Sequence, residues 1–163
     1  MLMLSSTIQV SETRMPTMTH HIDVPCSPQA LYQYITQPWL WHEWHPNSVR
    51  SSSSKKKLRV GDTFVEEISL RPLSWLPLTI HRQLNYTVID AKADQYWEIK
   101  AVASDGGSKV HFQYHFKATS ESTRFTRILR YEINGLMRLL APILLRANQR
   151  NSAIAMANLR PRA

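Results

Sequence analysis

The segment Lys109 to Ala118 alternates without a fault. Val110, Phe112, Tyr114 and Phe116 fall on one side; Lys109, His111, Gln113, His115 and Lys117 fall on the other. Side chains alternate across a strand with a period of two, so this stretch predicts a strand with one dry face and one wet face. Such a strand must cover its dry face and pair along its edges, and its neighbours in the chain are suited to both tasks. Asp105-Gly106-Gly107-Ser108 is a hairpin signal joining it to Tyr96–Ala103, where Trp97, Ile99, Ala101 and Ala103 share a face. Thr123 to Ile133 repeats the pattern with Phe125, Leu129, Tyr131 and Ile133, and Arg127 in phase. Leu78 to Asp90 does so with Leu78, Ile80, Leu84, Tyr86 and Val88, and Arg82 in phase. Phe64 to Leu70 carries Phe64, Ile68 and Leu70 with Glu66 among them, and Thr17 to Val24 carries Met18, His20, Ile22 and Val24. Val49 to Leu58, rich in serine and lysine, reads as a polar edge strand. Clean alternation with short turns predicts seven antiparallel strands, dry on one side.

Two helical passages interrupt and close this series. Ser27-Pro28 opens a short helix with Leu31, Tyr34 and Ile35 inward, and Pro38 begins a second that holds Trp41 and Trp44. Asn134 to Leu159 is the longest helical signal. At 3.6 residues per turn, Leu136, Leu140, Ile143, Ala147, Ile154 and Ala157 form its apolar stripe, with Arg138, Pro142, Gln149 and Arg160 roughly opposite. Pro142 inside this run predicts a bend near Arg138. Packing holds most helices, so a helix this long needs the dry face of the sheet. The expected architecture is α+β: a curved sheet around a long C-terminal helix, with a space between them and two short helices after the first strand. Residues 1–16 lack periodicity and are read as a loosely ordered leader, and 17–163 as a single domain.

The order of elements resembles the START-like (SRPBCC) superfamily, which includes polyketide cyclase/dehydrase-like and lipid-transfer proteins. The opening strand HHIDVP, the helix SPQALYQYI, the segment WLWHEWHP, the strand VGDTFVEEI and the final helix ending in NLR carry the resemblance, over about residues 17–160. It implies a helix-grip fold whose sheet and last helix enclose a hydrophobic cavity. It implies fold more than activity, because carriers, cyclases and receptors share it.

The informative residues are the polar groups in phase with the dry face: His20, Glu66, Arg82 and Arg127. A charge in a dry core costs several kcal/mol unless paired or wetted. They either pair with one another, as Glu66 with Arg82, or hold the polar end of a ligand in a mostly apolar site. The expected ligand-binding residues are Trp41, Trp44, Glu66, Arg82, Trp97, Phe112, Tyr114, Arg127, Tyr131 and Ile143. Inward tyrosines, Tyr86 among them, are also weak acids within reach of a bound polyketide. The partner is therefore a hydrophobic small molecule, lipid or polyketide-like, carried without chemistry or, alternatively, cyclised, aromatised or dehydrated in the same space. No cofactor is expected. No metal is expected either: His42-Glu43-Trp44-His45 lacks the H-E-x-x-H spacing of a zinc protease.

Charge adds a second partner class. The formal net charge is +8, and from Arg124 onward there are eight arginines against one acid, Glu132. Nucleic acid is disfavoured, because the exposed strand faces offer His, Gln and Lys without interleaved aromatics. The connector RPLSWLP and the first half of the last helix place exposed apolar groups beside arginines, a pattern suited to peripheral contact with an anionic membrane. A single cysteine, Cys26, fits a reducing compartment, and no apolar run approaches the ~20 residues of a membrane span. A cytoplasmic location, with peripheral contact at the inner face of a membrane, is expected. The sequence does not specify an oligomeric state.

Overall fold

The computed structural model describes residues 5–9, as backbone, and 16–159. Eight strands form one antiparallel sheet: β1 (Ser5–Gln9), β2 (Thr17–Val24), β3 (Ser48–Ser52), β4 (Thr63–Leu70), β5 (Ile80–Lys92), β6 (Tyr96–Ala103), β7 (Ser108–Ala118) and β8 (Thr123–Ile133). Their order across the sheet is β1-β2-β8-β7-β6-β5-β4-β3. From β3 to β8 each strand pairs with its neighbour in the chain. The one distant closure brings β2 onto β8, with His20 opposite Arg127. Between β2 and β3 the chain crosses from one side of the sheet to the other through α1 (Pro28–Ile35) and a 3-10 helix (Pro38–Glu43). Ser27 caps α1 by accepting from the Ala30 N–H at 3.2 Å.

The seven expected strands are β2 to β8. The eighth, β1, lies within the segment read as a leader and pairs with β2, Thr7 opposite Thr19. Its five residues are too few for periodicity to single out; a ready partner edge makes the strand. Residues 10–15 of that leader lie outside the described residues.

Inward residues form a continuous aromatic core. Trp41 lies at its centre, in edge contact with Trp44, Phe64, Tyr86 and Trp97 at centroid distances of 5.5–6.4 Å. The Trp41 indole N–H donates to the Ile35 carbonyl at 2.8 Å, which ties the 3-10 helix to α1. Tyr32 of α1 meets Phe116 of β7 edge-on at 5.3 Å.

The C-terminal passage departs from the expected single helix. Gly135, at φ +60°, turns the chain out of β8. A 3-10 helix covers Gly135–Leu140, and α2 runs Ala141–Asn158. Pro142 thus sits in the first turn of α2, where its missing N–H costs no helical bond, and not in a helix interior that it would bend. The break at Ala141 also changes the phase. Of the expected stripe only Ala147 is buried; Leu136, Leu140, Ile143, Ile154 and Ala157 are exposed. The buried face is Leu144, Ala147, Asn151, Ser152, Ala155 and Met156, closed by Leu159. Small and polar side chains make up its middle, so the helix lies close to the sheet and meets polar groups there. Arg160 lies outside the described residues. Among the described residues no helix is long and apolar enough to cross a membrane.

Candidate functional site

Sheet, 3-10 helix and α2 surround one cavity. Strand parity turns Glu66, Ile68 and Leu70 of β4, Arg82, Leu84 and Tyr86 of β5, Val110, Phe112 and Tyr114 of β7, and Arg127, Leu129 and Tyr131 of β8 towards it. Trp41, Trp44 and His45 close one end, and Met137, Leu144, Asn148 and Ser152 cover the top. The cavity volume is about 90 Å³, enough to hold more than one water.

Arg127 dominates the interior end. It is 3% exposed. Its Nη1 donates to Ser152 Oγ at 2.7 Å, and its Nη2 lies 3.2 Å from His45 Nε2. The guanidinium carbon sits 5.4 Å from the Phe112 ring centroid and 6.0 Å from that of Tyr114. Among the described residues no carboxylate lies within ion-pair distance of it, and its Nε has no hydrogen-bond partner. Arginine stays charged at any physiological pH. Its surroundings adjust instead. Burial, then Arg127, holds His45 well below the usual imidazole range, and the same causes push His20 down to about 4. Both histidines are neutral at pH 7 and accept or ignore the cation without balancing it.

Among the described residues Glu66 is the one fully buried carboxyl. It accepts from the Tyr86 hydroxyl at 2.6 Å. Burial pushes its pKa up, against the opposing effects of Tyr86 and Arg127. Burial also raises Tyr86 well above the phenol range, with Glu66 adding to it. The pair is a proton-rich site: an acid drawn towards its neutral form beside a phenol that holds its proton.

At the other end Arg82 is held differently. Its Nη2 donates to Asp105 Oδ1 at 2.7 Å and its Nη1 to Ser108 Oγ at 3.0 Å. The expected alternative pairing of Glu66 with Arg82 does not form. β4 and β5 place Glu66 opposite Leu84 and Ile68 opposite Arg82, so each polar group finds a partner along its own stretch of the cavity.

Of the ten residues expected to contact a ligand, eight line the cavity: Trp41, Trp44, Glu66, Arg82, Phe112, Tyr114, Arg127 and Tyr131. Trp97 does not; it is packed behind Trp41 and stacks on Tyr114 at 5.6 Å. Ile143 does not either, at 36% exposed, because the start of α2 at Ala141 turns it outward and brings Leu144 in. His45 and Ser152 were not anticipated as partners of Arg127. Ser152 carried a signal, a small hydroxyl amid apolar helix positions, but the partner 25 residues away was set by packing. His42 is exposed while His45 turns inward, and among the described residues no three His, Cys, Asp or Glu side chains gather as a metal site would require.

Comparison with known proteins agrees with this geometry. The family described as polyketide cyclase / dehydrase and lipid transport matches residues 15–163. Among solved structures, the Zhui aromatase/cyclase from a Streptomyces species is similar at a TM-score of 0.70 and 8% identity, over 89% of this chain and 91% of that one. A protein from Rhodobacter sphaeroides gives 0.65 and 13% identity over 95% of both chains. The major latex-like protein 151 of Panax ginseng gives 0.58 and 12% over 86% of this chain and 96% of that one. At such identities the likeness is one of fold. No curated protein matches the chain.

Proposed function

The chain belongs to the polyketide cyclase / dehydrase and lipid transport family, and on that premise we propose that it binds and carries a hydrophobic small molecule, lipid or polyketide-like, whose polar end is acidic. The ligand's apolar body lies against Trp41, Trp44, Phe112 and Leu129, and its polar end reaches Arg127, with Arg82 and Glu66 steering it. One observation carries this reading: the guanidinium of Arg127 is buried over an aromatic face, and among the described residues no carboxylate lies within ion-pair distance of it. A buried cation is costly, and an anionic ligand group removes that cost. The size of the cavity favours a compact ring system, or one end of a longer chain.

Titration with 2-naphthoate and with its neutral analogue 2-naphthylmethanol tests it. Arg127→Met is expected to weaken naphthoate by about 10- to 100-fold, the worth of a hydrogen bond to a charged group, and to leave the alcohol within about twofold. Equal affinity of wild type and variant for naphthoate overturns the reading.

A second reading, cyclisation or dehydration of a polyketide-like substrate, is favoured by one feature, the Glu66–Tyr86 pair. A carboxyl whose pKa burial raises, beside a phenol in an aromatic site, is suited to proton transfer at an enolising carbonyl. This reading requires that Glu66→Gln abolish turnover of a poly-β-ketone analogue while leaving its binding intact.

A further inference from the structure

Three connections leave the sheet at one end. Leu70 pairs with Ile80, so residues 71–79 emerge there between β4 and β5. Ser108 pairs with Ile133, so the hairpin 104–107 and the 3-10 helix Gly135–Leu140 emerge beside it. The end of β4 and the 3-10 helix meet α2 there in a small cluster of Leu70, Leu144 and Ala147, with Met137 packed against it. Arg150 Nη2 reaches the Arg71 carbonyl at 3.3 Å and ties α2 to the connector. Leu70, Met137 and Leu144 also line the cavity, so this is its mouth.

The mouth is ringed by apolar side chains that face solvent. Leu136 is 79% exposed, Leu139 77% and Trp75 77%, joined by Leu78, Leu140 and Ile143. Five of the eleven exposed large hydrophobic side chains among the described residues sit on these two short segments, and Ile143 follows in the first turn of α2; the others, such as Val49, Val60 and Val102, are scattered singly over the strands and loops. Scattered apolar groups need no explanation, but a contiguous set around an opening marks a contact surface.

Charge identifies the occupant. Arg71, Arg138, Arg146 and Arg150 are exposed on the same two segments and the first turns of α2, and among the described residues none is in an ion pair. The two acids at this end are already engaged, Asp105 with Arg82 and Glu132 with Lys109 at 3.7 Å. A groove beside Trp75, lined by Asn47, Ser69, Arg71, Ser74, Arg150 and Asn151, offers arginines and amides together at the edge of the apolar ring. A second copy of the chain docked on this face would set four arginines against four. Nucleic acid would leave the leucines uncovered.

We propose that this mouth docks on the surface of an anionic bilayer. Leu136 and Leu139 enter the acyl boundary, Trp75 sits at headgroup depth, and the four arginines meet lipid phosphates. Docking in this pose faces the cavity mouth towards the acyl chains. The proposal does not depend on what the cavity binds, since the docking groups are outside it.

Co-sedimentation of the full chain with vesicles tests the surface. Vesicles of equimolar phosphatidylcholine and phosphatidylglycerol are expected to pellet the protein, and pure phosphatidylcholine to pellet it at least about tenfold less. Leu136→Ser with Leu139→Ser is expected to lower partition to the anionic vesicle at least about tenfold. Arg138→Gln with Arg146→Gln is expected to lower it by a similar order and to remove its salt dependence in part. All four positions are exposed, and retained naphthoate binding verifies the fold and separates failure here from failure of the cavity reading. Pelleting that ignores lipid charge, or serine variants that pellet like wild type, overturns the proposal. So does a dimer that the serine variants convert to monomer without any vesicle binding by the wild type, which would assign the face to a second copy.

Discussion

The two ends of the cavity treat a guanidinium in opposite ways. At the mouth, Arg82 is bound by Asp105, whose carboxylate is more than half exposed, and by Ser108. Water and a carboxylate share the work of holding that charge. At the interior end, Arg127 has a hydroxyl, a neutral imidazole and two ring faces, and its side chain is almost wholly buried. Cation–π contacts contribute about 0.5–2 kcal/mol and a charged hydrogen bond about 1.5–3 kcal/mol, less than the desolvation of a buried ion. The Nε of each guanidinium lacks a partner, but the charge at the mouth has a carboxylate against it and the charge at the interior end has none within ion-pair distance among the described residues. A protein that needed Arg127 only for stability would be better served by a methionine, so the interior end is where a ligand has the most to contribute.

Truncations at the two ends give the largest expected contrast. Trp41→Ala removes the centre of the aromatic core and is expected to cost about 3–5 kcal/mol, whereas Met137→Ala, at the partly exposed mouth, is expected to cost less than about 2 kcal/mol. Chemical denaturation reads both; equal losses would show that the mouth is as tightly packed as the interior.

Acid sharpens the same contrast. His20 titrates at about 4 in the fold because of burial, then Arg127 and His21. Unfolded, it takes its proton near 6.5, so between those values the unfolded chain binds more protons and stability falls as pH falls. The full loss from this group is roughly 3 kcal/mol. Glu66 works the other way: its raised pKa is a penalty that grows above the ordinary glutamate range and is relieved on acidification. Comparing wild type with His20→Leu isolates the histidine; the variant is expected to have the flatter stability curve between pH 6.5 and 4. Superimposable curves would mean that His20 is wetted.

Replacing the buried charge itself has a smaller effect on stability. Arg127→Met is expected to leave the unfolding free energy unchanged or to raise it by about 1 kcal/mol, read by chemical denaturation. A loss of several kcal/mol would make the guanidinium a structural tie between β8, α2 and the 3-10 helix. The smallest effect belongs to the mouth: Arg82→Gln breaks a pair with an exposed partner and is expected to cost under about 1 kcal/mol, fading in high salt.

Much of this was readable in advance where the signal is local. Parity placed Glu66, Arg82 and Arg127 on the dry face, and all three line the cavity. The C-terminal passage was harder to read for a physical reason. An apolar stripe assumes an unbroken helix and an apolar partner surface, and neither holds: the turn at Gly135 and the 3-10 passage reset the phase, and the sheet presents Arg127 to α2. Leu136, Leu139 and Ile143 consequently face solvent while Asn151 and Ser152 are buried. Ile143 lies outside the cavity lining through that reset, and Trp97 because an inward side chain is in the core without necessarily reaching the space within it.

The residues alone determined strands β2 to β8, their antiparallel character and the inward direction of Glu66, Arg82 and Arg127, because alternation is a property of the backbone that any neighbour must respect. Which groups meet was decided only when the chain closed. Arg127 reaches Ser152 and His45 across 25 and 82 residues of sequence, contacts that depend on the pairing of β2 with β8 and the seating of α2. A local pattern states which way a charge points. Only the packed molecule shows whether anything is there to neutralise it.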